Sequence, residues 1–75
     1  MEEFRVKVKD ESGMELYVNA YIYKWIAKKI STPLKRLNYI EYIVIGDERI
    51  LPNERYVFLS MLTGKTYRVE NISSI

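Results

Sequence analysis

Leu16-Tyr17-Val18-Asn19-Ala20-Tyr21-Ile22-Tyr23-Lys24-Trp25-Ile26-Ala27-Lys28-Lys29-Ile30 can be read with two periods, and the choice between them decides the fold. With a period of two, Leu16, Val18, Ala20 and Ile22 share one face. Tyr17, Asn19, Tyr21, Tyr23 and Trp25 share the other, as in a strand with one covered side. From Ile22 onward, Ile22, Ile26 and Ile30 recur every four residues, with Tyr23 and Ala27 beside them and Lys24 and Lys28 opposite, as on an amphipathic helix. Asn19 is a good N-cap, and Ser31-Thr32-Pro33 is a good stop. These signals favour a helix over roughly residues 20–31. Ile26→Ala should then delete buried methyl groups and cost about 2–4 kcal/mol. One long strand over residues 14–25 would point instead to a small all-β barrel.

The flanks read more simply. Phe4-Arg5-Val6-Lys7-Val8-Lys9 alternates apolar and cationic residues, Asp10-Glu11-Ser12-Gly13 is a turn, and Met14 to Val18 alternates again; residues 4–9 and 14–18 therefore form a hairpin. After Pro33, residues 34–38 are a basic connector or a single helical turn. Tyr39 to Ile45 is almost continuously apolar and β-branched or aromatic, hence a strand. Gly46-Asp47-Glu48 breaks it, Leu51 to Glu54 is loop, and Arg55 to Leu62 is a second apolar strand. Thr63-Gly64 turns into a last strand at Lys65 to Glu70, and Ile72 and Ile75 tie down the end. The expected fold is α+β, of order ββαβββ, with one helix on a mostly antiparallel sheet and a small SH3- or Sm-like barrel as the alternative. After its glycine turn, Tyr67-Arg68-Val69-Glu70-Asn71-Ile72 resembles the last motif of Sm-like barrels. That motif has glycine where Val69 stands, the family's first motif has no counterpart here, and no function is carried over.

Composition narrows the chemistry. The 75 residues form one domain, 48% hydrophobic and 13% aromatic, too apolar for disorder. Cysteine and histidine are absent, which removes disulfides, the commonest thiol nucleophile, the commonest neutral-pH base and the usual zinc ligands. The pairs Glu2-Glu3, Asp10-Glu11 and Asp47-Glu48 sit at an end or in turns, where a solvated carboxylate does little catalysis. No enzymatic activity, cofactor or metal is expected. Gly64-Lys65-Thr66 spells the end of a phosphate-binding loop, but Leu59 stands where that loop needs its first glycine, so a hairpin turn is the better reading. No membrane span or signal-like block is present, which suggests a cytoplasmic protein. The Ile-, Lys-, Glu- and Tyr-rich composition is thermophile-like, similar to that of proteins from hot-growing or A·T-rich genomes.

The formal net charge of +2 hides a segregation. Between Glu15 and Glu41 there is no acidic residue, yet Lys24, Lys28, Lys29, Lys35 and Arg36 lie there among Tyr17, Tyr21, Tyr23, Trp25 and Tyr39. Cations that meet phosphates beside rings that stack on bases are the ingredients of a nucleic-acid surface. The expected function is nucleic-acid binding, with DNA as the ligand. Lys24, Lys28, Lys29, Lys35 and Arg36 would hold phosphates, Trp25 or Tyr21 would stack, and Arg5, Lys7 and Lys9 could extend the surface. The alternative is a protein-interaction or regulatory module that uses apolar strand faces and Tyr/Trp anchors. A homodimer is expected in either case, because the strands at 39–45 and 55–62 are apolar on both faces.

Overall fold

The computed structural model describes residues 1–73; the anchoring role expected of Ile75 lies outside the described residues. Six antiparallel strands form one sheet: β1 (Glu2–Asp10), β2 (Glu15–Ile22), β3 (Tyr42–Ile45), β4 (Glu48–Ile50), β5 (Phe58–Leu59) and β6 (Thr66–Ile72). Their spatial order is β4-β3-β2-β1-β6-β5. Among the described residues helical structure is confined to α1 (Lys24–Ala27) and a 3-10 helix over Pro33–Asn38.

The helix expected over residues 20–31 is thus corrected, and with it the α+β architecture. The period-two reading holds through Ile22, because β1 supplies a long alternating partner. Their register places Phe4 opposite Ala20, Val6 opposite Val18 and Val8 opposite Leu16, all on one face. Eight paired residues with a shared apolar face outweigh a weak helix propensity and a candidate cap. Asn19 is therefore no N-cap; it lies in mid-strand and accepts a hydrogen bond from the Arg5 guanidinium at 3.2 Å. Ile22 is fully buried as the last inward residue of β2, whereas Ile26 and Ile30 are only half-buried. The second apolar run was also overread, since Phe58–Leu59 is the only strand within residues 55–62. The three-residue β4 after Gly46 was not foreseen at all.

The sheet curls nearly into a barrel. The inward residues of all six strands meet in one core, which joins Val6, Val8, Val18, Ala20, Ile43, Ile50, Phe58 and Tyr67. Register lines them up across strands: Ile50, Ile43, Ala20 and Phe4 form one row, and Val18, Val6 and Ile72 another. Between β1 and β6 the register shifts by one, with Lys7 opposite Asn71 and Val8 opposite Val69. Glu70 is the extra residue of this bulge, so both Val69 and Ile72 face inward despite their odd spacing.

The two outer strands nearly meet. Pro52, just after β4, bridges to Phe58 in β5. Glu48 in β4 accepts hydrogen bonds from the Ser60 hydroxyl at 2.6 Å and the Met61 backbone N–H at 2.8 Å. Asn53 organises the turn between these edges: its side-chain oxygen accepts from the N–H groups of Arg55 at 2.9 Å and Val57 at 3.0 Å. The turn holds Tyr56 at φ 62, a left-handed conformation that costs a non-glycine residue strain. In return the Tyr56 hydroxyl donates to the Ile40 carbonyl at 3.0 Å and its ring packs against the core.

Three carboxylates are committed to holding loops. Asp10 accepts from the Ser12 hydroxyl and from the N–H groups of Ser12 and Met14, Glu11 from Thr66, and Glu48 from Ser60 and Met61. These hydrogen bonds, led by Ser12 for Asp10, the Thr66 N–H for Glu11 and Ser60 for Glu48, stabilise the carboxylates and hold all three below their ordinary pKa values. Burial pushes the Tyr56 phenol up to about 12.

Two outcomes follow. Truncating fully buried side chains, as in Ile22→Ala or Ile43→Ala, should cost about 2–5 kcal/mol in chemical denaturation, and half-buried Ile26→Ala clearly less. In pH-dependent thermal melts, the stability carried by carboxylates with depressed folded pKa values is complete above the ordinary values of 3.8 and 4.5 and lost as pH falls below them. The raised Tyr56 pKa acts in the opposite sense: its contribution is complete below 10 and lost as pH rises toward about 12. The melting temperature should therefore be level between these limits, since no histidine titrates there, and Glu48→Gln should blunt the acid limb.

Candidate functional site

β2 and β3 pair directly, Tyr21 opposite Tyr42, so residues 23–41 form one long excursion between adjacent strands. A tight hairpin needs only about 2–5 residues, and connections beyond about 12–15 are uncommon and commonly functional. This excursion carries Lys24, Lys28, Lys29, Lys35 and Arg36.

Its path is fixed at several points. The N–H groups of Ile26 and Ala27 bond to the Tyr23 carbonyl at 3.1 and 3.0 Å, and that of Lys28 to the Lys24 carbonyl at 3.0 Å, giving the single turn of α1. Pro33 opens the 3-10 helix, where its fixed φ suits the first position and no N–H is lost. Ala27 and Ile40 are buried, and Leu37 packs on the core, so the excursion covers one end of the barrel. The Glu41 N–H returns the chain to the sheet by bonding to the Tyr21 carbonyl at 2.8 Å.

This path creates a cleft of about 330 Å³ lined by Trp25, Ile26, Lys29, Ile30, Lys35 and Tyr39, among others. Trp25 is 61% exposed, although it is the chain's only tryptophan and α1 could have turned it inward. Its indole stacks on Tyr23 at a centroid distance of 6.4 Å, and the Lys29 ammonium lies 5.6 Å from its ring centre. A second cleft touches the same indole from the side of Tyr23, Glu41 and Tyr56. Lysines thus line one cleft beside Trp25 and a carboxylate lines the other.

Trp25, Lys29 and Lys35 therefore meet at one cleft, as Lys24 and Lys28 stand exposed on the same short turn. Arg36 is oriented differently: half-buried, with its guanidinium 3.4 Å from a Glu2 carboxylate oxygen. Tyr21 lies on the outer face of the sheet, stacked on Tyr42 at 4.8 Å, and its hydroxyl donates to Glu3. That carboxylate raises the Tyr21 phenol pKa. Tyr39, absent from the site expected from sequence, completes the cleft wall; it sits beyond Pro33, and only the fold of the excursion brings it to Trp25. Arg49 was missed as well. Its guanidinium lies 4.5 Å from the centre of the Tyr42 ring, a contact that depends on the unforeseen β4.

Among the described residues no helix is long and apolar enough to cross a membrane. Comparison with protein-family models, curated proteins and solved structures returns no match.

The exposure of the indole is directly measurable. Trp25 emission should be that of a solvated indole, readily quenched by acrylamide in the folded protein, and Trp25→Ala should change unfolding free energy by less than about 1 kcal/mol.

Proposed function

We propose that this protein is a small non-enzymatic nucleic-acid-binding domain whose contact surface is the excursion between β2 and β3. The observation that carries the reading is the cleft itself, where a solvent-exposed indole and Tyr39 stand beside Lys29 and Lys35. A large ring left in water forgoes the gain of burial, and a basic wall beside it suits an aromatic ligand that carries phosphates. The carboxylates reinforce this. Asp10, Glu11 and Glu48 are taken up in loops, and the ion pairs among the described residues use Lys7, Lys9 and Arg36. Among the described residues Lys24, Lys28, Lys29 and Lys35 make no ion pair, which leaves them available to a partner. In this reading the lysines take the phosphates, and Trp25 stacks on a base with Tyr39 as the opposing wall.

The test is fluorescence anisotropy with labelled DNA and RNA over a salt series. Four phosphate contacts imply a log-log salt slope of roughly −3 for a single strand and −4 for a duplex. Lys28→Glu with Lys29→Glu should abolish binding at unchanged melting temperature. Trp25→Ala should weaken it by about 1–3 kcal/mol. Absence of binding to any DNA or RNA at about 50 mM salt would sink the proposal.

One feature favours a second reading, contact with another protein or a second copy. Leu51 and Leu59 flank the Pro52–Phe58 bridge and are exposed, and Met61 and Leu62 follow at 84% and 80% exposure. Such a strip is a common mark of a protein interface. If it joins two copies, light scattering at micromolar concentration should give a dimer mass that Met61→Lys with Leu62→Lys reduces to the monomer.

A further inference from the structure

Beyond the cleft, the outer face of β2 leads away from Trp25 as a line of rings and uncommitted cations. Successive outward residues of this strand are Tyr17, Asn19 and Tyr21, and Tyr23 continues the line to the indole on which it stacks. Tyr17, at the far end, is 51% exposed. Register sets a cross-row of Arg5, Asn19, Val44 and Arg49 over four strands. The Arg5 guanidinium is drawn over β2 by Asn19 and by the Tyr17 carbonyl, at 3.2 and 3.3 Å. Two of its five N–H donors are thereby used and three remain. Arg49 is propped against Tyr42, which itself stacks on Tyr21. Among the described residues neither arginine makes an ion pair. On this face the Glu3 carboxylate accepts from the Tyr21 hydroxyl and Glu15 pairs with Lys7.

We propose that this face guides a single-stranded nucleic acid from Tyr17 to the Trp25 cleft, with Arg5 and Arg49 on its phosphates and Tyr17 stacking on a base. The inference rests on the proposed function and adds the strand type and the path. Rings standing on a sheet can meet only unpaired bases, because in a duplex the base faces are covered by their neighbours. From Tyr17 to Tyr23 the strand advances about 20 Å. That is about six steps of a stacked strand at ~3.4 Å each, within the usual site size of a small single-strand-binding domain.

The experiment compares labelled oligothymidylates of four and twelve nucleotides with a twelve-base-pair duplex, on wild type, Trp25→Ala, Arg5→Gln, Tyr17→Ala and Tyr17→Phe. Melting temperatures are recorded for each protein. Wild type should bind the longer single strand at least tenfold tighter than the shorter one and prefer it to the duplex. Tyr17→Ala and Arg5→Gln should weaken the longer oligomer about 5- to 100-fold and leave the shorter one unchanged, while Trp25→Ala weakens both. Tyr17→Phe keeps the ring and should keep the affinity, which separates stacking from a folding defect. Equal affinity for both lengths, tighter binding of the duplex, or no effect of Tyr17→Ala would overturn the path and leave the cleft reading standing. No binding of any probe would overturn both.

Discussion

A six-stranded sheet of this size has two edges, and an exposed edge invites pairing with other chains. Here the edges are held together by the Pro52–Phe58 bridge and by one side chain. Glu48 reaches from β4 to the chain beyond β5 and holds two donors there, Ser60 and Met61. A carboxylate accepting two hydrogen bonds substitutes for the ladder that β4 and β5, at three and two residues, are too short to make. Once the edges meet, the inner faces of all six strands share a single core. The bulge at Glu70 adds the local twist that such curvature requires.

Closure also determines where charge can accumulate. Asp10, Glu11 and Glu48 are occupied by N–H and hydroxyl donors and do not neutralise the lysines of the excursion. The segregation visible along the chain persists only in part: Arg36 pairs with Glu2 and Glu41 lines the second cleft at Trp25, while Lys24, Lys28, Lys29 and Lys35 stand exposed. The apolar excess of the later strands is resolved in the same way. Ile43, Ile50 and Phe58 go into the barrel and Tyr42 is covered by Tyr21 and Arg49, while Tyr39, Leu51, Leu59, Met61 and Leu62 stay exposed.

The first hairpin was legible because alternation and turn chemistry agree at Gly13, which takes a positive φ of 91. So was the last turn, at Gly64. Residues 16–30 misled because both patterns are present in succession: β2 takes the first half and one turn of α1 follows. Isoleucines four apart cannot reveal that Ile22 belongs to a strand whose partner lies far back in the chain. β4 escaped notice because three residues carry too little periodicity. The run at 55–62 looked like a strand because its interruption is conformational, with Tyr56 in a left-handed turn organised by Asn53. Of the site, the cations and Trp25 were legible from local composition. Tyr39 was visible as a ring of the same stretch but not as a cleft wall, and Arg49 was not visible at all, since each reaches its place through tertiary contacts.

The excursion between β2 and β3 serves two purposes at once. It seals an end of the barrel with Ala27, Leu37 and Ile40, and it presents the aromatic and basic groups on its other side. Sequence drift is therefore unequally tolerated across the molecule. Changes on the outer face of β6 can accumulate singly, whereas a change of length between Tyr23 and Glu41 would alter the seal and the cleft together. Lys24, Lys28, Lys29 and Lys35, by contrast, can be exchanged without disturbing the seal, because their side chains are exposed.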